Sequence, residues 1–208
     1  MDKGGPKMKL FWFQGDRRRS LIHDLLVSWN DVLCDLEGAM RTWDLPYVYG
    51  ERPNLGILAA AATRIGYVPF EEYSAEKGRG KSRRKGRADL WLARKNGMKA
   101  FDFEAKYIQL SFRSKRLGRT IRRHLDMAAK DATDIRYKSE NTIGVIFVSP
   151  YGAIHKDFSP DLFWSQLSNL SQYGGDFCAF HICSPEIWSR TDYRDRPGIA
   201  IVGRYITS

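Results

Sequence analysis

Apolar residues recur at steps of three and four positions near the start of the chain, the repeat of an amphipathic helix. This stripe runs from Leu21 to Trp43 and predicts a long helix over residues 17–43. Pro46 ends the pattern, because proline cannot continue a helix. Most such stripes pack within their own domain, so we expect this helix to cover the core.

A second helix is predicted over residues 51–66, with Pro53 in its first turn and Gly66 at its end. Residues 67–73 follow as a short strand. Residues 74–87 are polar, basic and rich in glycine, which predicts a mobile basic loop.

Two further strands are predicted over residues 88–94 and 99–110. Asn96 and Gly97 lie between them, and this dipeptide is a strong signal for a tight hairpin turn. We therefore expect the two strands to pair in antiparallel fashion.

The rest of the chain contains further helices and strands. A helix is expected over about 113–137, and the β-branched run 142–150 predicts a buried strand. A helix over 161–170 and strands over 177–183 and 198–206 complete the pattern.

The order of these elements predicts an α/β fold, with a mixed central sheet flanked by helices. Residues 1–208 are long enough for one domain. We divide it into an N-terminal strand and helix appendage (1–46), an αβββαβ core (47–150) and a C-terminal αββ extension of the sheet (151–208).

Composition adds a functional hint. Lys and Arg number 34 against 24 Asp and Glu, which gives a net charge of +10 and favours a polyanionic partner such as nucleic acid. No apolar run approaches the roughly 18 residues of a membrane span. Cys34, Cys178 and Cys183 share no metal-ligand spacing and predict buried, reduced thiols, so we expect a cytoplasmic protein with no membrane partner.

Acidic and basic residues interrupt the two hairpin strands in a specific pattern. Strand alternation places Asp102, Glu104 and Lys106 on one face, and pairing of the strands brings Asp89 beside Glu104. Two neighbouring carboxylates repel each other unless a cation lies between them, and oxygen ligands favour Mg²⁺. A nearby lysine can orient an attacking water, so the pattern suits phosphodiester hydrolysis.

The phrases GRADLWL and FDFEAKY, with 14 residues between Asp89 and Glu104, resemble the PD-(D/E)xK nuclease superfamily and its restriction-endonuclease-like fold over residues 51–150. The resemblance implies that Asp89 and Glu104 bind Mg²⁺ or Mn²⁺ and that Lys106 positions the nucleophile. It also implies a further catalytic and metal-binding carboxylate on the first core helix, Glu51. The proline of the motif is absent, since Arg87 and Ala88 precede Asp89.

Other residues have secondary roles in this interpretation. Glu71 and Glu72 are alternatives to Glu51, Asp102 is assigned a structural role, and His181 is interpreted as a core histidine. Basic residues on either side of the motif are predicted to bind phosphates, although a solvated charged face would explain them too. They are Arg79, Lys81, Arg83, Arg84, Lys85, Arg87, Arg113, Lys115, Arg116 and Arg119.

By this resemblance the chain is expected to be a metal-dependent endonuclease acting on DNA, in restriction, defence or repair. A non-catalytic nucleic-acid-binding or scaffolding subunit of a larger complex is the alternative, and an RNA-directed nuclease is a third. Cutting both strands of a duplex would usually need two sites. A homodimer with the long N-terminal helix as its interface, or a partner protein, would supply the second.

Overall fold

In the part of the chain that the structure describes, one mixed β-sheet of seven strands has helices packed against it. The computed structural model describes residues 11–16, 20–40, 45–78, 83–94, 100–111, 113–135, 141–152, 159–183 and 196–206. Of the helices within these ranges, none has both the length and the apolar content to span a bilayer.

Helices and strands are interspersed along the chain. The strands are β1 (Phe11–Gly15), β2 (Tyr67–Lys77), β3 (Arg84–Arg94), β4 (Ala100–Ser111), β5 (Asn141–Tyr151), β6 (Phe177–Ile182) and β7 (Gly198–Ile206). The helices are α1 (Ser20–Met40), α2 (Glu51–Arg64), α3 (Leu117–Asp134), α4 (Pro160–Leu167) and α5 (Leu170–Tyr173), with a 3₁₀ turn at Pro46–Tyr49.

The strand order across the sheet is β1-β6-β7-β5-β4-β3-β2. Strands β4 and β5 run parallel, and every other neighbouring pair is antiparallel. A parallel pair needs a crossover, and α3 provides it between β4 and β5. The predicted α/β class is confirmed, and so is the αβββαβ order from α2 to β5.

Helix α1 packs its apolar stripe into the hydrophobic core. Leu25, Leu26, Trp29 and Leu33 are buried, and the helix packs against α2. The stripe therefore belongs to the core, as predicted.

Helix α3 crosses the other side of the sheet and packs on β4 and β5. Gly144 of β5 permits this close approach, since a Cβ there would lie 2.7 Å from the backbone nitrogen of Ala129. The buried face of the helix includes Leu117, Ile121 and Leu125. This crossing brings the C-terminal half of α3 over the middle of β4.

The basic segment 74–87 is mostly not a loop, which corrects our prediction. Residues 74–77 belong to β2 and pair with residues 84–87 of β3. Backbone hydrogen bonds form a ladder whatever the side-chain polarity, so an exposed hairpin has no apolar pattern to reveal it. Residues 79–82 at its tip lie outside the described residues.

Several predicted boundaries also shift. Helix α3 begins at Leu117 rather than 113, and the helix predicted over 161–170 is divided between α4 and α5. Asn96 and Gly97 lie outside the described residues, but the antiparallel pairing of β3 with β4 confirms the hairpin.

The three cysteines form no disulfide. Cys178 and Cys183 are buried as predicted, while Cys34 is exposed because it lies on the outer side of α1.

Candidate active site

Asp89 lies where the regular pairing of the sheet is interrupted. Glu72 and Asp89 are left out of the β2–β3 pairing, and the β3–β4 pairing ends at Leu90↔Phe103. Glu72 has a φ of 49°, in the left-handed region that non-glycine residues rarely adopt. The strands therefore open around Asp89, which leaves space for side chains between them.

The carboxylate of Asp89 bridges this opening. Its Oδ2 accepts a hydrogen bond from the backbone nitrogen of Ala105, at 2.7 Å. Ala105 lies between Glu104 and Lys106, so the bond holds Asp89 against the Glu104–Lys106 segment. The structure thus brings together the three residues of the proposed motif.

Glu104 is buried and paired with a lysine that the sequence pattern did not single out. Its Oε1 lies 2.6 Å from Nζ of Lys77, and the two side chains are 2% and 11% exposed. Lys77 comes from the segment predicted as a mobile loop. Pairing in β2 instead directs it inward, and a lysine in a basic run carries no sequence signal for such a role.

The electrostatic environment of Glu104 is that of a desolvated carboxylate. Burial raises its pKa, and the negative charge of Asp89 raises it further, while Lys77 and Lys106 lower it, so that the pKa is about 7. Mutual repulsion between Asp89 and Glu104 is therefore only partly offset by the two lysines.

Lys106 is held by a second unpredicted residue. Its Nζ lies 2.9 Å from Oδ2 of Asp131 on α3, and it also donates to the backbone oxygen of Ala105. Burial lowers the pKa of Lys106, but Asp131, Glu51 and Asp89 outweigh that effect and raise it. Only the α3 crossover places Asp131 over Lys106, so no local pattern could have indicated it.

Glu51 lies in the first turn of α2, as the sequence predicts. Burial and the charge of Asp89 raise its pKa. It borders a cleft of about 220 Å³ between α2 and the β2–β3 hairpin. The residues that line this cleft are Glu51, Arg52, Leu55, Glu71, Glu72, Arg87 and Asp89.

Both alternatives to Glu51 thus border the same cleft, but Glu72 is already paired. Its Oε1 lies 2.6 Å from Nη2 of Arg52, and its Oε2 lies 2.8 Å from Nη1 of Arg87. Glu51 lies close enough to Asp89 and Lys106 for their charges to act on its pKa, which Asp89 raises and Lys106 lowers.

The motif implies a divalent metal, and the carboxylates fit such an ion only in part. Within the described ranges, no three His, Cys, Asp or Glu side chains form a group that could hold a metal. Glu51 therefore does not complete a three-ligand centre with Asp89 and Glu104 as these side chains lie. Two carboxylates completed by water are nonetheless a set that Mg²⁺ accepts, and the Lys77 ammonium supplies the positive charge at Glu104 here.

Asp102 and His181 have structural partners. Asp102 is buried and accepts a hydrogen bond from the hydroxyl of Tyr73. The ring nitrogens of His181 lie 2.8 Å from Oδ1 of Asn30 and 2.9 Å from Oε1 of Glu37. These contacts agree with the roles predicted for both residues.

The predicted phosphate-binding residues divide into separate groups. Arg87 borders the cleft, and Arg83, Arg84 and Lys85 are exposed along the hairpin. Arg79 and Lys81 lie outside the described residues.

The basic residues around the start of α3 lie away from the cluster of Asp89, Glu104 and Lys106, and their phosphate-binding role stays a prediction. They are Arg113, Lys115, Arg116 and Arg119. Arg119 precedes Asp131 by twelve residues of one helix, which corresponds to about 18 Å. Strand β4 continues past Lys106 to Ser111 before α3 returns across it, and this separates the start of α3 from the cluster.

Comparison of the chain with family models, with curated proteins and with solved structures finds no significant match.

Proposed function

We propose that the chain is a Mg²⁺- or Mn²⁺-dependent nuclease with a restriction-endonuclease-like core. One observation carries the proposal: Asp89, which lines the cleft, is held against the backbone next to the buried Glu104 despite the repulsion of the two carboxylates, with Lys106 two residues further along β4. The order and pairing of the elements around them, from α2 to β5, support it. The net charge of +10 suits a nucleic-acid substrate.

In this proposal each residue has a defined task. Asp89 and Glu104 would hold the divalent cation, which would supply activation of a water and stabilisation of charge on a phosphate oxygen. Lys106 orients the attacking water and neutralises developing negative charge. Glu51, on the opposite wall of the cleft, accepts a hydrogen bond from that water. DNA is the proposed substrate class, with RNA as an alternative that would use the same residues.

A second candidate function rests on the ion pairs of the cluster. Glu104 pairs with Lys77, and Lys106 pairs with Asp131. Two residues of the motif, Glu104 and Lys106, therefore already have partners within the protein. Such a cluster can stabilise the fold of a non-catalytic nucleic-acid-binding or scaffolding subunit without any metal.

A cleavage assay separates the two functions. The purified protein is incubated with supercoiled plasmid, single-stranded DNA and RNA, each with Mg²⁺, Mn²⁺ or EDTA. For the nuclease we expect cleavage that needs the metal and that falls at least about 100-fold in Lys106→Ala, because the charge that positions the water is lost.

Lys130→Ala is the matched control, since Lys130 is an exposed lysine of α3. It removes the same charge from the surface, and cleavage should be unchanged. If no substrate is cut, while wild type and Lys106→Ala bind nucleic acid equally and with the same salt dependence, the nuclease is refuted in favour of the binding subunit.

A further inference from the structure

Two arginines at the mouth of the cleft converge on one carboxylate. Arg52 from α2 and Arg87 from β3 each bind a different oxygen of Glu72, at 2.6 and 2.8 Å. Arg52 and Arg87 are 78% and 69% exposed. A guanidinium has five N–H donors, so most donors of this pair still face solvent.

The geometry of this contact matches a phosphate. A carboxylate that accepts from two guanidiniums presents two oxygens and one negative charge, as a phosphodiester does. The contact lies in the same cleft as Glu51 and Asp89. A phosphate held there would therefore lie beside the proposed reaction centre.

Glu72 is poorly suited to remain in this position. Its φ of 49° is unfavourable for a residue with a Cβ, and strained backbone of this kind tends to occur at ligand sites. Exposed ion pairs contribute little to stability, so replacement of Glu72 by another anion in this contact costs little free energy.

We propose that Arg52 and Arg87 form a phosphate clamp for the nucleic-acid backbone and that Glu72 occupies the clamp until a substrate phosphate displaces it. This inference rests on the proposed function for the identity of the polyanion. It adds a residue of α2 to the binding surface and assigns Glu72 an inhibitory contact.

The test measures binding of a fluorescent single-stranded oligonucleotide by anisotropy in EDTA, over a range of salt concentrations. Glu72→Gln keeps the size of the side chain but removes the charge, so affinity should rise by about threefold. Arg52→Ala and Arg87→Ala should each weaken binding by about tenfold. Each arginine variant should also reduce the salt slope by about 0.7, because one phosphate contact is lost.

A second ion pair of the same type provides matched controls. Arg64 of α2 lies 2.7 Å from Asp35, and neither residue lines the cleft. Arg64→Ala and Asp35→Asn change net charge by the same amounts, and both should bind as wild type does. Glu72→Gly, which allows the left-handed backbone, should tighten binding as Glu72→Gln does.

The outcomes separate this inference from the proposed function. If Glu72→Gln fails to tighten binding, or if Arg52→Ala and Arg87→Ala match Arg64→Ala, the clamp is refuted even for a protein that cuts DNA. If the clamp variants behave as expected and nothing is cleaved, the clamp stands and the nuclease fails. Competition by inorganic phosphate at concentrations similar to the oligonucleotide would show a site for free phosphate and overturn the backbone assignment.

Discussion

Replacement of Glu104 by glutamine should change how stability depends on pH. Burial and Asp89 raise the pKa of Glu104 from 4.5 to about 7 in the folded protein. A carboxyl group whose folded pKa lies above its unfolded pKa stabilises the fold while it is protonated. That contribution is complete below pH 4.5 and is lost as the pH rises through 7.

The size of the effect follows from the two pKa values. One pH unit corresponds to about 1.4 kcal/mol, so ionisation of Glu104 lowers the free energy of unfolding by about 3 kcal/mol between its unfolded and folded pKa. Glutamine has the shape of the protonated acid and cannot ionise. The Glu104→Gln variant should therefore match wild type at about pH 4 and exceed its stability by about 3 kcal/mol at about pH 8.

Urea denaturation followed by tryptophan fluorescence at several pH values measures this difference. Asp126→Asn is the control, because Asp126 is half exposed and its pair with Arg204 lies outside the cluster. A difference between wild type and Glu104→Gln that is constant with pH, or that shrinks toward high pH, would refute the electrostatic argument. It would mean that burial and Asp89 do not destabilise the negative charge of Glu104, and the metal proposal depends on that destabilisation.

Three further predictions concern the same region. At about pH 8, Mg²⁺ at ten times its dissociation constant should stabilise wild type by about 1.4 kcal/mol, and thermal denaturation should show no such gain in Glu104→Gln or Asp89→Asn. Lys77→Met should lower the free energy of unfolding, measured by urea denaturation, by about 3 kcal/mol at about pH 8. The loss should be smaller at about pH 5, because a proton then neutralises Glu104 in place of the lysine. Equal losses at the two pH values would contradict this. Gly144→Ala should cost about 2 kcal/mol by thermal denaturation, because its Cβ would lie 2.7 Å from the backbone of Ala129, and an unchanged midpoint would show that α3 can move away.

The helices and strands were largely predictable because their signals are local. The stripe of α1 and the β-branched run of β5 depend on neighbours within a few residues, and both elements appear close to their predicted positions. The approach of Asp89 to Glu104 was predictable for a similar reason. A hairpin between consecutive strands brings residues on either side of its turn together.

The wrong prediction of a loop over residues 74–87 also has a local physical cause. Near its tip, the hairpin of β2 and β3 consists of polar and small residues on both faces, so its strands show no apolar alternation, although Lys77 points inward.

By itself, the sequence determined the α/β class, the element order and the position of the acidic pair on neighbouring strands, because each depends on short-range periodicity and one turn. The partners of that pair were decided only by tertiary structure. Lys77 reaches Glu104 from 27 residues away, and Asp131 reaches Lys106 through the crossover of α3. Glu72 meets Arg52 and Arg87 only where α2 packs beside the β2–β3 hairpin. Contacts between distant elements depend on how the whole sheet and its helices pack, and no local pattern of residues encodes them.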